Sequence, residues 1–205
     1  MSKARFDTRN FEKYAMSVLQ EFYCRDWSCF RYGPGVESPD LQCEKLGVGV
    51  EVTRAIAREN GIPAEIIFEY FGDWSQAKQE NWHSIRLWKD YALLSPGDSV
   101  YEFKVHLDTL QNSIRTKTEK LNRIYRIFEQ NHLYIFTFNP MMDREELKVL
   151  WQSVRNAPGQ EVGYDLFFLD CVDRLLVLHR KTGAVEEIAL EAKRLRSLQQ
   201  KAFWR

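Results

Sequence analysis

Hydrophobic and polar residues alternate along residues 38–55 in a pattern that is typical of two β-strands joined by a short turn. In the second predicted strand, valine occupies every other position from 48 to 52, and this β-branched face is expected to be buried. The positions between and after the valines hold Gly49, Glu51 and Thr53, so the same strand carries a carboxylate on its other face. Asp40 lies on the first predicted strand, which places a second carboxylate beside Glu51.

The pattern along the rest of the chain predicts a single domain over residues 1–205 with an α/β (α+β) fold. Helices are predicted at 8–24, 105–130, 143–154 and 191–202, and further strands at 25–37, 133–138, 165–172, 175–179 and 185–190. These elements predict a mixed central sheet of about four to six strands that is flanked by helices. Residues 161–205 are expected to form a C-terminal hairpin followed by a helix.

Residues 60–104 separate the first predicted strands from the long helix and are rich in aromatic side chains. Short helices are predicted at 64–72 and 76–94, so this segment is interpreted as a helical insertion between core elements. Insertions often carry residues that contact a substrate. The alternative for most of these aromatic residues is local core packing.

The predicted helix at 105–130 carries an apolar stripe that a lysine interrupts. The stripe consists of Leu110, Ile114, Leu121, Ile124 and Phe128. Lys117 falls in the middle of this stripe, and Lys120 lies at its edge. An amine in such a place must reach solvent, pair with an acid or lower the stability of the fold, and the sequence leaves these three alternatives open for Lys117.

The overall charge gives the chain no general attraction for nucleic acid, because lysine plus arginine equals aspartate plus glutamate, at 29 each. The N-terminal residues lack the apolar core of a signal peptide, and no run approaches the roughly 18 apolar residues of a membrane span. Four cysteines are scattered without a tight pair, which predicts a reduced, cytoplasmic protein. A structural zinc site at Cys24, Cys29, Cys43 and a histidine is a poorer interpretation, since paired C-x-x-C spacing is missing.

Asp40 and Glu51 are the candidates for chemistry, because both would be held on rigid, adjacent strands. A carboxylate in the middle of a half-buried strand must be solvated, paired or bound to a metal, since an isolated buried charge is very costly. Two carboxylates on neighbouring strands are typical ligands of a hard divalent cation such as Mg²⁺.

This stretch resembles the PD-(D/E)XK nuclease superfamily, which has the restriction-endonuclease-like fold. The resemblance consists of Pro39 and Asp40, a turn, and then Glu51, Val52 and Thr53 after a small and aliphatic run. It implies a core of order αβββαβ and the metal-dependent hydrolysis of phosphodiester bonds. It also implies Asp40, Glu51 and the carbonyl of Val52 as ligands of Mg²⁺ or Mn²⁺. Thr53 stands where the family usually has lysine, and a threonine can donate only a neutral hydrogen bond.

The resemblance implies roles for three further residues. Many members place a glutamate early in the first helix and aim it at the metal site, and Glu12 matches that position. The alternative for Glu12 is a favourable interaction with the positive end of the helix dipole. In diverged members the missing lysine can come from elsewhere, which makes Lys117 the first candidate for that cation and Lys120 the second. The alternative for both lysines is solvation.

The function expected from these observations is a magnesium-dependent endonuclease that acts on nucleic acid, with DNA favoured over RNA and no membrane partner. Basic residues on the 105–130 helix and on the C-terminal helix would contact phosphates, although charged helix faces are more often only solvated. The alternative is a catalytically inactive protein of the same fold that binds nucleic acid or a protein. A homodimer is compatible with the sequence.

Overall fold

The computed structural model describes residues 8–23, 29–35, 37–55, 86–88, 91–94, 101–104, 107–137, 142–155, 162–171 and 174–203. Its helices are α1 (Thr8–Val18), which continues into a π-helical turn at Leu19–Tyr23, α2 (Leu107–Arg123), α3 (Arg144–Arg155) and α4 (Ala192–Phe203). Its strands are β1 (Arg31–Tyr32), β2 (Leu41–Cys43), β3 (Val48–Arg54), β4 (Arg86–Trp88), β5 (Tyr91–Leu94), β6 (Tyr101–Lys104), β7 (Gln130–Phe136), β8 (Leu166–Asp170), β9 (Arg174–His179) and β10 (Val185–Ala189).

The main sheet is mixed and has seven strands in the order β1-β2-β3-β7-β8-β9-β10. The three central strands, β3, β7 and β8, run parallel, and the remaining neighbours pair antiparallel. The predicted mixed sheet flanked by helices is therefore confirmed, although it has seven strands rather than four to six. The strand predicted at 133–138 is β7 and occupies the centre of the sheet.

Two apolar cores cover the two faces of this sheet. On the first face, α1 and α4 pack on the valines of β3; this core includes Phe11, Tyr14, Val50, Leu195 and Phe203. On the second face, α2 and α3 pack on β7, β8 and β9; this core includes Ile114, Leu121, Leu133, Leu150 and Leu176. We call these the α1/α4 face and the α2/α3 face. The valines are buried as predicted, and the alternation of β3 directs Glu51 toward the α2/α3 face.

The helix predicted at 105–130 is too long, because α2 ends at Arg123. The backbone N–H of Tyr125 donates to the carbonyl of Lys120 at 3.1 Å. This hydrogen bond closes a turn that is one residue wider than an α-helical turn, and the helix ends there. Ile124 is consequently 52% exposed, although the apolar stripe predicted its burial. Phe128 is buried, but it lies beyond the helix.

The helical insertion predicted at 60–104 is wrong where the structure describes that segment. Strands β4, β5 and β6 form a separate antiparallel three-stranded sheet there, and β4 and β5 fall inside the helix predicted at 76–94. Aromatic and β-branched side chains favour strands as readily as buried helices, so aromatic content did not distinguish the two. The helix predicted at 64–72 lies outside the described residues. The predicted C-terminal arrangement is confirmed, since β8, β9 and β10 form hairpins that precede α4.

The cysteines do not follow the expectation of scattered thiols. Cys29 and Cys43 form a disulfide that ties the segment before β1 to the end of β2. They are therefore not available as thiolate ligands of zinc, and Cys24 lies outside the described residues. Among the helices that the structure describes, none combines the length and apolar character needed to cross a membrane.

Candidate functional site

Asp40 is fixed beside β3 by its position at the start of β2. Leu41 of β2 pairs with Val50 of β3, and one carboxylate oxygen of Asp40, Oδ2, accepts a hydrogen bond from the backbone N–H of Val52 at 2.8 Å. In a strand the N–H and C=O of one residue point to the same side, so the Val52 carbonyl also faces the side of β3 where Asp40 lies. The sequence therefore brings one carboxylate and one backbone carbonyl together at the edge of the parallel strands.

Gly49 allows the chain to close tightly around this point. A methyl group added at Gly49 would come within 2.8 Å of both the Pro39 ring and the Phe128 ring. Pro39, which precedes Asp40, therefore packs directly on β3 because the position opposite it carries no side chain. This contact holds the Asp40 backbone close to the strand that carries Glu51.

Glu51 is the most buried of the predicted site residues, at 3% exposure. Its Oε1 atom accepts hydrogen bonds from the Lys117 amine and from the Tyr125 hydroxyl, the latter at 2.8 Å. Its Oε2 atom is buried and has no hydrogen-bond partner among the described residues. One oxygen of this carboxylate is thus doubly paired, and the other is buried without a hydrogen-bond partner among the described residues.

Lys117 reaches Glu51 from the face of α2 that packs on the sheet. Its side chain is 19% exposed, and its neighbours Ile114 and Leu121 belong to the apolar core of the α2/α3 face. Of the alternatives that the sequence left open for this lysine, the structure shows the pairing with an acid. The Tyr164 hydroxyl donates to the Lys117 backbone carbonyl at 3.2 Å, which supports the helix turn that presents the amine.

The electrostatics of the site are set by burial and by the proximity of its acids. Burial, followed by the charge of Glu51, raises the pKa of Asp40 to about 7, while the Val52 N–H and the Lys117 charge oppose this shift. Burial and the Glu51 carboxylate also raise the pKa of Tyr125 well above its ordinary value. Tyr125 is therefore a neutral donor throughout the physiological range, and Asp40 exchanges its proton near neutrality.

The other sequence-predicted residues occupy different positions relative to this cluster. Glu12 is buried on α1, where it accepts a hydrogen bond from Arg9 at 2.9 Å, and its charge adds to the raised pKa of Asp40. Thr53 lies two positions beyond Glu51 on β3 and is half-buried. Lys120 is exposed on α2 and does not join the Glu51 pair.

The oxygens of the two carboxylates differ in their partners. Glu51 Oε1 accepts hydrogen bonds from Lys117 and Tyr125, Asp40 Oδ2 accepts one from the Val52 N–H, and Glu51 Oε2 is buried and accepts none from the described residues. If a hard cation binds here, Asp40 and Glu51 are the carboxylates that would hold it. Mg²⁺ keeps several water ligands and is commonly bound by only one or two carboxylates. A cluster of three or more His, Cys, Asp or Glu side chains suited to a metal ion is absent from the part of the chain that the structure describes.

Tyr125 and Tyr164 belong to the site but were not singled out from the sequence. Tyr125 lies within the residues predicted as helix, and only the end of α2 at Arg123 brings its hydroxyl back to Glu51. Tyr164 precedes β8, and it reaches α2 because β7 and β8 are parallel neighbours. Neither contact has a sequence spacing that could have indicated it.

The comparisons with known proteins identify no relative. No family model, curated protein or solved structure significantly matches this chain.

Proposed function

We propose that this chain is a metal-dependent nuclease of the restriction-endonuclease-like fold, which hydrolyses phosphodiester bonds in DNA. The proposal rests on one observation: Asp40, Glu51 and Lys117 converge, and the buried Oε2 of Glu51 has no hydrogen-bond partner among the described residues. A buried carboxylate oxygen without a partner is costly, and a bound cation would satisfy it.

The order of the elements supports the fold assignment. When the separate β4–β6 sheet is set aside, the chain runs α1, β1, β2, β3, α2 and β7, which is the αβββαβ order that the resemblance implies. In such a core the two acids belong to the second and third strands. Here Glu51 lies on β3, and Asp40 lies one residue before the start of β2.

Each residue near the cluster has a definite task in this proposal. Asp40, Glu51 and the Val52 carbonyl would hold Mg²⁺ or Mn²⁺, and such an ion activates water and neutralises charge on the phosphate. Lys117 would supply the cation that the family motif places at the position of Thr53. Its amine contacts Glu51 directly, whereas Lys120 is exposed on α2. Glu12 contributes negative charge from α1, and this favours a divalent cation beside Asp40.

Cleavage of plasmid and single-stranded DNA in Mg²⁺ or Mn²⁺ tests the proposal. Asp40→Asn, Glu51→Gln and Lys117→Met should each reduce the cleavage rate by roughly a hundredfold or more, because electrostatic contacts at a transition state are typically worth that much. Glu119→Gln, at an exposed position on the same helix, is the matched control and should leave the rate unchanged. Lys120→Met should have a much smaller effect than Lys117→Met, and the opposite result would assign the catalytic cation to Lys120.

Metal affinity provides a second measurement that does not depend on cleavage. The Asp40 carboxyl has a pKa of about 7, so a cation must displace its proton below that pH. We therefore expect Mn²⁺ affinity, measured by titration calorimetry or electron paramagnetic resonance, to rise as the pH increases from about 6 to 8. In Asp40→Asn the affinity should be weak and nearly independent of pH. Affinity that is unchanged in both Asp40→Asn and Glu51→Gln would refute a metal site at these residues.

A second function is favoured by a specific feature of the same site. Lys117 and Tyr125 both donate to Glu51 Oε1, and Thr53 replaces the usual lysine, so the pair could serve as a structural anchor in a protein that binds nucleic acid without cutting it. Binding of DNA without cleavage in any divalent metal, retained in Glu51→Gln, would favour this alternative over the nuclease.

A further inference from the structure

A cavity lies on the α2/α3 face beside α2, and neither Glu51 nor Lys117 lines it. It has a volume of about 260 Å³ and is bounded by α2, the end of α3, the residues before β8 and the turn after β9. Its floor is apolar and includes Ile114, Val154 and Phe167. Its polar lining includes Gln111, Asn112, Arg115, Thr118 and Arg180, together with Tyr164, whose hydroxyl also donates to the Lys117 backbone carbonyl. The cavity therefore combines an apolar floor with two positive charges.

The two arginines give this cavity an uncompensated positive charge. No Asp or Glu is among its described lining residues, and no ion pair within the described chain involves Arg115 or Arg180. Arg115 instead contacts the Asn112 side-chain oxygen at 3.1 Å. Guanidinium groups without carboxylate partners are suited to bidentate hydrogen bonds with phosphate.

The position of Arg180 is built into the fold. A methyl group at Gly163 would lie 1.9 Å from the Arg180 Nη1 atom, so the guanidinium lies directly against Gly163 and would have to shift if this position carried a side chain. The Arg180 backbone is held on both sides, because its N–H donates to the Asp165 carbonyl at 3.0 Å and its carbonyl accepts from the Trp151 indole at 2.9 Å. The Arg180 side chain therefore lines the cavity from a backbone position that two hydrogen bonds hold in place.

We propose that this cavity binds a single nucleotide unit through its phosphate. The phosphate would lie between Arg115 and Arg180, and the base would occupy the space over Phe167 beside the amides of Gln111 and Asn112. A volume of about 260 Å³ is slightly below the roughly 300–1,000 Å³ of typical ligand pockets, so the cavity can take at most one nucleotide and not a longer strand segment. This inference does not depend on whether the Asp40 and Glu51 site cuts DNA.

Titration calorimetry with dAMP, adenosine, inorganic phosphate and a short oligonucleotide carrying a 5′-phosphate tests the proposal. The proposal predicts saturable binding of dAMP, weaker binding of inorganic phosphate, and no binding of adenosine. If the oligonucleotide binds and the same arginines are required, the phosphate comes from a strand end. If only dAMP binds, the phosphate that the cavity recognises belongs to a free nucleotide. Both results support the site.

Two kinds of variant locate the binding. Arg115→Gln and Arg180→Gln should each weaken dAMP binding by roughly tenfold, because each removes a charge-assisted contact. Gly163→Ala should weaken it similarly without deleting a charge, since the added methyl group displaces the Arg180 guanidinium. Arg123→Gln, an exposed arginine on α2 outside the cavity, is the control and should leave binding unchanged.

The proposal would be overturned by adenosine binding as tightly as dAMP, or by the absence of saturable dAMP binding. Full dAMP affinity in both arginine variants would also overturn it. Thermal melting of each variant, which should match the wild-type chain, excludes loss of folding as the reason for weaker binding.

Discussion

The two faces of β3 are built from the same seven residues but depend on different parts of the chain. On the α1/α4 face, Val48, Val50 and Val52 meet an apolar core, so any well-packed hydrophobic neighbour can satisfy them. On the α2/α3 face, Glu51 depends on the Lys117 amine and the Tyr125 hydroxyl, 66 and 74 residues away along the chain. The first face tolerates changes of shape, whereas the second requires particular donors at particular positions.

The contrast extends to the titratable groups of the two faces. His132 lies on the α1/α4 face, where its ring packs edge-on against Phe168 with centroids 5.9 Å apart. Burial lowers the pKa of His132 to about 4, while burial and Glu51 raise the pKa of Asp40 to about 7. In both cases the fold favours the neutral form. The consequence for stability has opposite signs, because histidine is charged in acid and aspartate is charged in base.

The largest expected effect comes from removing the charge partner of Glu51. Lys117→Met leaves a buried carboxylate without its cation and should lower the free energy of unfolding by roughly 3–5 kcal/mol. Val50→Ala, on the other face of β3, should lower it by only about 2 kcal/mol, since it removes two methyl groups from an apolar core. Urea denaturation in the presence of a metal chelator measures both, so that no cation replaces the lysine.

The double variant Lys117→Met/Glu51→Gln separates the loss of charge balance from the loss of packing. An uncharged glutamine no longer needs the amine, so most of the stability lost in Lys117→Met should return. A loss below about 1 kcal/mol in Lys117→Met would mean that Glu51 is solvated and that the two faces do not differ in the way argued above.

The next largest effect concerns His132, which is the titratable group on the apolar face. Its lowered pKa means that the unfolded chain takes up a proton more readily than the folded chain. Stability is therefore lost as the pH falls from about 6.5 toward 4, by roughly 2–3 kcal/mol at pH 4.5. In His132→Phe this part of the acid sensitivity should disappear, as measured by urea denaturation at pH 7 and 4.5.

His179→Asn is the control for this pH dependence. The His179 ring is partly exposed and is paired with Glu186 at 2.7 Å. Its removal takes away one minor cause of the lowered pKa of His132 but leaves burial, the largest cause, in place, so most of the acid sensitivity should remain. The charges that face His132 are those of Asp165 and His179, which oppose each other in their effect on its pKa. An acid sensitivity that is identical in His132→Phe and the wild-type chain would show that His132 is not the responsible group.

The sequence predicted features that depend on local periodicity. These include the buried valines of β3, the apolar strand β7 at the centre of the sheet, the helix α3, and the C-terminal hairpins with α4. The proximity of Asp40 and Glu51 was also predictable, because a short turn forces their two strands to pair. These features require only a repeat of two or 3.6 residues and a turn signal.

The features that the sequence did not reveal depend on contacts between distant segments. The end of α2 is set by a turn at Lys120 rather than by proline or glycine, and Ile124 continues the apolar pattern past it. The disulfide between Cys29 and Cys43 requires the pairing of β1 with β2, which the spacing of the cysteines does not show. The sequence left open whether Lys117 reaches solvent or pairs with an acid, and the three-dimensional arrangement of α2 and β3 was needed to show that it pairs with Glu51.

The smallest effect tests whether Tyr125 supports Glu51 or only packs near it. Tyr125→Phe removes the hydroxyl that donates to Glu51 Oε1 at 2.8 Å and keeps the ring, so it should lower the free energy of unfolding by about 1–2 kcal/mol. Tyr164→Phe removes a neutral donor to the Lys117 carbonyl and should lower it by less, about 0.5–1 kcal/mol. Urea denaturation at pH 7 compares the two. Equal losses in the two tyrosine variants would mean that the charge of Glu51 does not strengthen the Tyr125 hydrogen bond. A loss in Tyr125→Phe as large as that in Lys117→Met would mean that Tyr125, and not Lys117, is the main partner of the Glu51 carboxylate.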